Sequence, residues 1–197
     1  PRALAALEPL NGYGQSKQLF DIDAALMARM GCRPPQWAGL KFFNVYGPNE
    51  YHKAGQRSVA VQLFEQISAS GRAKLFRSHH ADYEDGGQLR DFIWVGDCVD
   101  VMLWLYDNPG VSGIFNCGTG EARSFADLAR ACFQAMERED AIDFIDTPES
   151  LRAHYQYFTE ARTERLRAAG YTQPFTSLEE GVASYIRGYL QTNDPYR

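Results

Sequence analysis

Residues 11–48 read NGYGQSKQLFDIDAALMARMGCRPPQWAGLKFFNVYGP, a segment in which one apolar pattern gives way to another. In its first half, apolar side chains at positions 19, 22, 26 and 30 recur at three- and four-residue steps, which predicts a helix over residues 11–30. Gly31 suits the position just beyond a helix end, and a Pro-Pro loop follows it. Residues 37–45 are mostly apolar, as in a buried strand, and Gly47-Pro48 predicts the turn that closes it. The segment is therefore expected to fold as a helix, a loop and a strand.

Outside this segment, strands and helices alternate, and the sequence contains no repeat and no low-complexity tract. Residues 1–10 are expected to be an exposed lead-in, and residues 77–88 a polar loop. Strands are expected at 75–76, 91–95, 114–116 and 142–145. Helices are expected at about 57–69, after residue 95, after Ser124, near 149 and at 178–190. The helix after residue 95 contains Val99, Leu103 and Tyr106, and Ser124 with Asp127 three residues later forms a capping-box pattern. This alternation predicts the α/β fold class.

The composition is that of an ordinary globular protein, with 45% hydrophobic and 23% charged residues among 197. A formal net charge of -5 argues against a nucleic-acid partner, because such a partner requires a basic surface for its phosphates. No apolar run approaches the ~18 residues of a membrane span, and no signal-peptide pattern opens the chain. Four cysteines without C-x-x-C spacing predict reduced thiols and a cytoplasmic location. The chain begins at Pro1 without Met, which suggests a missing upstream segment.

Tyr13 and Lys17 form the first chemically suggestive pair. Four residues apart on a helix, they share one face, with Cβ atoms within about 6 Å of each other. A neighbouring ammonium favours the phenolate form of a tyrosine, so the pair could pass a proton to or from an alcohol. A surface tyrosine that packs on a lysine stem explains the same spacing more simply. The spacing alone therefore leaves both interpretations open.

The sequence around this pair resembles a known family. A Y-x-x-x-K helix that leads to a strand and the turn NVYGP is similar to the extended short-chain dehydrogenase/reductase family. Within it, the chain resembles the epimerases that invert carbon 6 of an ADP-bound heptose. The resemblance extends from about Pro9 to the last helix. The motifs that carry it are NVYGPNEYHK (44–53), RDFIWVGD (90–97), GIFNCGTG (113–120), YQYFT (155–159) and LRAAGY (166–171).

This resemblance implies a Rossmann-type fold and a redox-assisted inversion. Residues 1–46 would complete a nucleotide-binding domain, and residues 47–197 would form mainly a mixed α/β substrate-binding domain, with some segments returning to the nucleotide-binding sheet. Hydride would leave carbon 6 for NADP (NAD being the alternative cofactor), the aldehyde would turn over, and the hydride would return to the opposite face. Protons must then be transferred on both faces of carbon 6, and the positions that match the family's motif assign these acid/base roles to Tyr13 and Lys53. Burial of a lysine would favour its neutral form, as a base requires, whereas a solvated lysine in a turn is the alternative interpretation of Lys53.

The resemblance also assigns ligand contacts. Lys17 would hold the cofactor ribose and keep Tyr13 acidic, Val45 would touch the nicotinamide end, and Lys53 would contact the cofactor as well. The substrate contacts would be Asn44, Gly55, Gln62, Phe76, Arg77, Ser78, His79, Arg90 and Tyr155. Arg90 suits a phosphate because its planar guanidinium can bind two oxygens, although a salt bridge to a neighbouring carboxylate explains it equally well. Gly55 and Gln62 replace the family's Ser and His, and of its Phe-Glu-Gly-Ser loop only Phe76 is kept.

The implied partner is a small ADP-sugar used in lipopolysaccharide core precursor synthesis, with neither nucleic acid nor membrane involved. The family suggests a homo-oligomer, specifically a pentamer. Two other functions remain open: another nucleotide-sugar epimerase or dehydratase of the same family, or a catalytically silent sugar-nucleotide-binding fragment that lacks the cofactor half and is inactive alone.

Three further patterns have simpler explanations than the chemistry they suggest. Gly118-Thr119-Gly120 follows a strand, but Arg123 stands where a dinucleotide-binding motif has its third glycine, so a tight turn is expected. His79-His80 with nearby acids suggests a metal site, although a solvated loop explains it better and we predict none. The cysteines near residues 96 and 118 are expected to be small core residues.

Overall fold

A computed structural model describes residues 2–152, 155–194 and 196. After a short helix, α1 (Arg2–Ala5), the long helix α2 spans Gly12–Arg29. The Asn11 side chain caps it by accepting a hydrogen bond from the Gly14 amide at 2.8 Å. Gly31 adopts the left-handed φ of +76° just past the helix end. The prediction of this helix from its local signals is confirmed.

The apolar run at 37–45 forms two strands, so the prediction of a single strand was wrong. β1 (Ala38–Phe42) pairs in parallel with β5 (Gly113–Cys117), whereas β2 (Asn44–Tyr46) pairs in parallel with β4 (Leu89–Trp94). Phe43 lies between them, and its amide still donates to the Cys117 carbonyl at 3.1 Å. The chain thus changes partner strands within one residue, directly before Asn44.

The remaining strands extend this arrangement. β4 also pairs antiparallel with β6 (Ala122–Ser124), while β3 (Ala73–Phe76) and β7 (Ile142–Ile145) form a separate parallel pair. The predicted strands near 75, 91, 114 and 142 are therefore confirmed, and β6 is an addition. The mixture of parallel strands and helices is the predicted α/β class.

The other helices also lie close to their predicted positions. They are α3 (Val59–Ser70), α4 (Val95–Asp107), α5 (Phe125–Ala135), α6 (Glu149–Arg152) and α8 (Leu178–Tyr185), which continues as a π-helical turn over Ile186–Leu190. A further short helix, α7 (Glu164–Ala168), was not predicted. The predicted capping box at the start of α5 is present. A 3-10 turn over Tyr51–Gln56, between β2 and α3, was not predicted. No helix in the described part of the chain is long and apolar enough to cross a membrane.

Two apolar cores lie on opposite faces of β4. Phe92 belongs to the larger core, where α3, α5 and α8 pack together, and its neighbour Ile93 belongs to the smaller core beneath α4 and β5. Cys98 and Cys117 are buried in the smaller core, as the sequence predicts. Because both faces of β4 are packed, this strand is a rigid support for the side chains at its ends.

Two helices leave apolar side chains exposed. The stripe of α2 predicted from residues 19, 26 and 30 is largely open, with Met30 73% exposed. On α4, the buried apolar residues are Cys98, Val101 and Leu105, whereas Val99, Leu103 and Tyr106 face solvent. The three side chains named in the prediction of this helix therefore do not form its packed face.

Candidate active site

Tyr13 and Lys17 lie together at the amino-terminal end of α2. The Lys17 ammonium is 5.2 Å from the centre of the Tyr13 ring, and Tyr13 is 74% exposed. Both line an open cleft of about 610 Å³ whose other wall includes Lys41 and Phe42 of β1. No carboxylate of a described residue lies within 4.0 Å of Lys17. The pair is therefore accessible to a ligand and is not engaged by a neighbouring acid.

A partly buried ion pair attaches this helix to the sheet. Asp21 lies one turn beyond Lys17 on the same face and is the only buried residue of α2, all of whose side chains are described. Its carboxylate accepts a hydrogen bond from the Lys41 ammonium at 2.6 Å. This contact was not predicted from the sequence, although the position of Asp21, four residues after Lys17 on the same helix face, was a signal for it.

Asn44, Val45 and Lys53 line one cavity of about 290 Å³. Asn44 and Val45 come from β2, and Lys53 from the 3-10 turn that follows it. Lys53 is exposed, so the burial that would favour its neutral form is not present in this structure. The cavity brings together three residues that the sequence analysis singled out separately.

A third cleft adjoins both the Tyr13 cleft and the Lys53 cavity. This opening, of about 450 Å³, shares Lys41 and Phe42 with the first cleft and Phe43 and Asn44 with the second. The partner change at Phe43 therefore lies between Tyr13 and Lys53. The two candidate acid/base residues thus line the outer two of three adjoining clefts along β1 and β2, together called the β1–β2 groove.

Arg90 and Tyr155 lie together in a second cluster. The Arg90 guanidinium lies 5.6 Å from the ring centres of both Tyr155 and Phe125, and Phe76 packs edge-on against Tyr155. No carboxylate of a described residue lies within 4.0 Å of Arg90, so the salt-bridge alternative is wrong. Burial lowers the pKa of Arg90 and raises that of Tyr155. A half-buried cation without an anionic partner suits a phosphate.

The three residues after Phe76 are bonded to their own loop and to two neighbouring segments. The Ser78 amide donates to the Asp85 carboxylate at 2.8 Å, and the His79 amide donates to the Tyr157 hydroxyl at 2.9 Å. Arg77 is exposed and lies 3.8 Å from Asp146. The structure therefore brings only Phe76 of this stretch into contact with Tyr155.

Gly55 and Gln62 are not among the residues lining the Lys53 cavity. Gly55 is exposed in the 3-10 turn, and the Gln62 side chain donates to the Arg57 carbonyl at 2.8 Å.

Tyr157 was overlooked as a candidate residue. Its ring centre lies 5.4 Å from that of Tyr155 and 5.1 Å from those of His80 and Tyr83. Residues two apart in extended chain point to the same side, so the Y-x-Y spacing was the available signal. His80 thus belongs to an aromatic cluster, and no group of three or more His, Cys, Asp or Glu among the described residues could hold a metal.

The Gly118-Thr119-Gly120 turn is wrapped around a carboxylate of its own chain. Asp91, fully buried on β4, accepts hydrogen bonds from the Thr119 amide and hydroxyl (2.8 Å each), the Gly120 amide (2.9 Å) and the Ala161 amide (3.0 Å). A Cβ on Gly118 would lie 2.8 Å from an Asp91 oxygen, so the turn requires glycine there. The amides that would cradle a phosphate are occupied, and the prediction of a tight turn is confirmed.

Comparison with curated proteins finds close relatives. ADP-L-glycero-D-manno-heptose-6-epimerase of Nitratidesulfovibrio vulgaris is 56% identical over 190 residues, 96% of this chain and 58% of the relative. The protein of the same name from Fusobacterium nucleatum is 47% identical over 202 residues, covering 100% of this chain and 60% of the relative. The chain thus spans about three-fifths of the length of these relatives.

Solved structures share the fold. The Helicobacter pylori ADP-L-glycero-D-manno-heptose-6-epimerase superposes with a TM-score of 0.73 and 27% identity, over 92% of this chain and 52% of that one. Thermus thermophilus UDP-glucose 4-epimerase, solved in complex with NAD, superposes with a TM-score of 0.71 over 92% of this chain and 55% of that one. At 22% identity, the second likeness concerns the fold alone.

A family model also matches residues 2–118, which contain α2, the β1–β2 groove and the Asp91-bound turn up to Gly118. Its description is the NAD dependent epimerase/dehydratase family. The chain has the Rossmann-like, mixed α/β fold of extended short-chain dehydrogenase/reductase epimerases and belongs to the NAD dependent epimerase/dehydratase family.

Proposed function

We propose that this chain supplies the acid/base residues and most of the substrate surface for epimerisation at carbon 6 of an ADP-bound heptose. The observation that carries the proposal is the row of three adjoining clefts along β1 and β2, in which Tyr13 lines the cleft at one end and Lys53 the cleft at the other. Inversion at an alcohol carbon requires proton transfer on two faces, and a groove with one acid/base side chain at each end meets that requirement. The relatives' names agree with this reaction.

Tyr13 and Lys53 divide the proton transfers between them. Tyr13 takes or gives the proton of the carbon 6 hydroxyl on one face of the substrate, and Lys17 stabilises the negative charge that Tyr13 carries after losing its proton. Lys53 transfers the proton on the opposite face of the substrate. Asn44, which lines the same cavity, binds the substrate. Since Lys53 is exposed in the present structure, a bound ligand must exclude water around it before it acts as a base.

The residues present fit one end of a nicotinamide cofactor. Lys17 has no acidic partner among the described residues and can bind a ribose hydroxyl, while Val45 offers an apolar contact to the ring. When bound, the cofactor supplies a hydride acceptor and donor. The Gly118 turn does not fit the pyrophosphate, because Asp91 occupies its amides. We propose NADP as the cofactor of the whole protein, with NAD as the alternative.

The substrate is proposed to be an ADP-sugar. Arg90 binds a phosphate oxygen, and Tyr155 and Phe76 pack around it. The contacts proposed for Gly55, Gln62, Arg77, Ser78 and His79 rest on sequence resemblance, and their geometry favours them less. We also propose the domain division at residues 46 and 47, a homopentamer, a cytoplasmic location and a role in lipopolysaccharide core precursor synthesis.

The test is a substrate comparison with the whole protein. ADP-glycero-manno-heptose, UDP-glucose and dTDP-glucose are each incubated with it and NADP, and the sugar configuration is followed by NMR. Inversion at carbon 6 of the ADP-heptose alone is the expected result. Turnover of a UDP- or dTDP-hexose instead would establish another nucleotide-sugar epimerase or dehydratase. Substrate binding without any turnover would establish a silent sugar-nucleotide-binding protein.

A further inference from the structure

Glu50 is a buried carboxylate in the cavity that contains Lys53. It is only 6% exposed and lines that cavity together with Asn44 and Val45. Ionised carboxylates are rarely buried unless hydrogen bonds compensate for the lost water, so its partners indicate why it is there.

Three donors from two helices hold the Glu50 carboxylate. One oxygen accepts a hydrogen bond from the Ser58 amide at 2.5 Å, and the other accepts from the Ser58 hydroxyl at 2.6 Å and from the Tyr185 hydroxyl at 3.0 Å. Ser58 precedes α3, and Tyr185 is the last residue of α8. Burial, followed by the Glu50 charge, raises the pKa of Tyr185, so its hydroxyl remains a donor. Glu50 therefore ties the chain after β2 to both helices.

Lys53 lies in the short segment between these attachments. Its amide donates to the Glu50 carbonyl at 3.0 Å, which starts the 3-10 turn. At the other end of the turn, the Arg57 side chain donates to the Ala54 carbonyl at 2.8 Å and forms a bidentate pair with Glu65. Ala54 has a φ of +47°, a conformation that a non-glycine residue adopts only when its surroundings enforce it. The turn is thus held at both ends, with Lys53 in its middle.

We propose that Glu50 is a positioning residue for Lys53, which it holds against Asn44 and Val45 through the Ser58 and Tyr185 hydrogen bonds. The inference rests on the proposed acid/base role of Lys53. Glu50→Gln puts an NH₂ group where one carboxylate oxygen was. Whichever oxygen is replaced, at least one of the donors at Ser58 or Tyr185 loses its acceptor or has to turn away. The amino-terminal end of the turn is then released while the cavity walls remain.

The test uses the whole protein and three variants: Glu50→Gln, Tyr185→Phe and, as a matched control, Glu139→Gln. Glu139 is an exposed side chain in the loop before β7. Steady-state kinetics with the ADP-heptose give kcat and KM, and hydrogen exchange gives the protection of the amides at 51–58. Since a displacement of about 1 Å can lower a rate about 10²-fold, we expect kcat of Glu50→Gln to fall by about that factor with KM within ~3-fold of the parent. The exchange of the Lys53 and Ser58 amides should accelerate in parallel.

Tyr185→Phe removes one of the three hydrogen bonds and is expected to lower kcat a few-fold, which keeps the test usable if Glu50→Gln does not fold. Glu139→Gln should match the parent in both measurements. An unchanged kcat in the Glu50→Gln or Tyr185→Phe protein, or a lowered kcat with unchanged amide protection, would overturn the positioning role. An inactive parent would instead refute the proposed function, so the two failures are distinguishable.

Discussion

Replacing Asp91 by asparagine is expected to destabilise the protein strongly. The carboxylate is fully buried and accepts four hydrogen bonds, two on each oxygen. An asparagine keeps one oxygen. If its NH₂ group faces Thr119, the Thr119 hydroxyl can rotate and accept a hydrogen bond from that group, but the Thr119 backbone amide loses its acceptor. If it faces Gly120 and Ala161, both amides lose theirs.

The expected loss follows from this count. At least one buried N–H is left without an acceptor, at about 1–3 kcal/mol, and the two retained bonds change from charge-assisted to neutral, which weakens each by roughly half. Removal of a buried charge offsets part of this loss. We expect a net destabilisation of about 3 kcal/mol, a large fraction of the ~5–15 kcal/mol typical of a folded protein.

Urea unfolding followed by tryptophan fluorescence measures the effect. With an m-value of about 2 kcal/mol per molar urea, Asp91→Asn should lower the midpoint by about 1.5 M. Asp100→Asn, which neutralises an exposed aspartate on α4, is the matched control and should change the stability by less than about 0.5 kcal/mol. If Asp91→Asn shifted the midpoint no more than this control, the structural role assigned to the Gly118 turn would be refuted.

Three other substitutions test separate parts of the structure. Asp21→Asn breaks the ion pair with Lys41 and should lower the urea stability by about 1–3 kcal/mol, because the pair is only partly buried; an unchanged midpoint would show that it does not anchor α2. Burial raises the pKa of Asp97 above the ordinary value of about 3.9, against the opposing effect of its Thr176 hydrogen bonds, so the native state holds this proton more tightly than the unfolded state. The contribution of Asp97 to stability therefore falls as the pH rises from about 3.9 through the raised pKa. In Asp97→Asn the amide can satisfy both Thr176 contacts, so this pH dependence should be lost from urea midpoints measured between pH 3 and 7. A pH dependence equal to that of the parent would contradict the assignment. Arg90→Lys loses the planar guanidinium and should weaken ADP-sugar binding at least ~10-fold by calorimetry with little change in stability, whereas unchanged affinity would remove Arg90 from the phosphate site.

The helices and strands were predictable where their signals are local. Asn11 and Gly31 mark the ends of α2 in the sequence, and the Ser124 cap marks the start of α5, because caps act on adjacent backbone groups. The division at Phe43 was not predictable, since both halves of the run favour strands and only the distant partners differ. The buried face of α4 was not predicted for a related reason: periodicity indicates a helix, but the packing partner decides which side is buried.

In the candidate site too, some features were predictable from the sequence and others were not. Tyr13 and Lys17 were predictable as neighbours because helical spacing brings them together, and their family pattern pointed to chemistry. The buried carboxylates Glu50 and Asp91 were not, because an acid in a sequence is usually solvated and their partners lie far along the chain. The donor to Glu50 at Tyr185 is 135 residues away. Such contacts exist only in the folded chain.

The most direct test of the two-sided acid/base assignment is the rate of carbon 6 inversion in the whole protein after Tyr13→Phe and after Lys53→Ala. Each variant removes one of the two proposed proton-transfer groups and keeps Arg90 and Tyr155, the proposed phosphate-binding cluster. We predict that each lowers kcat by about 10²–10⁴-fold while ADP-sugar binding persists. Turnover of both variants at near the parent rate would contradict the assignment.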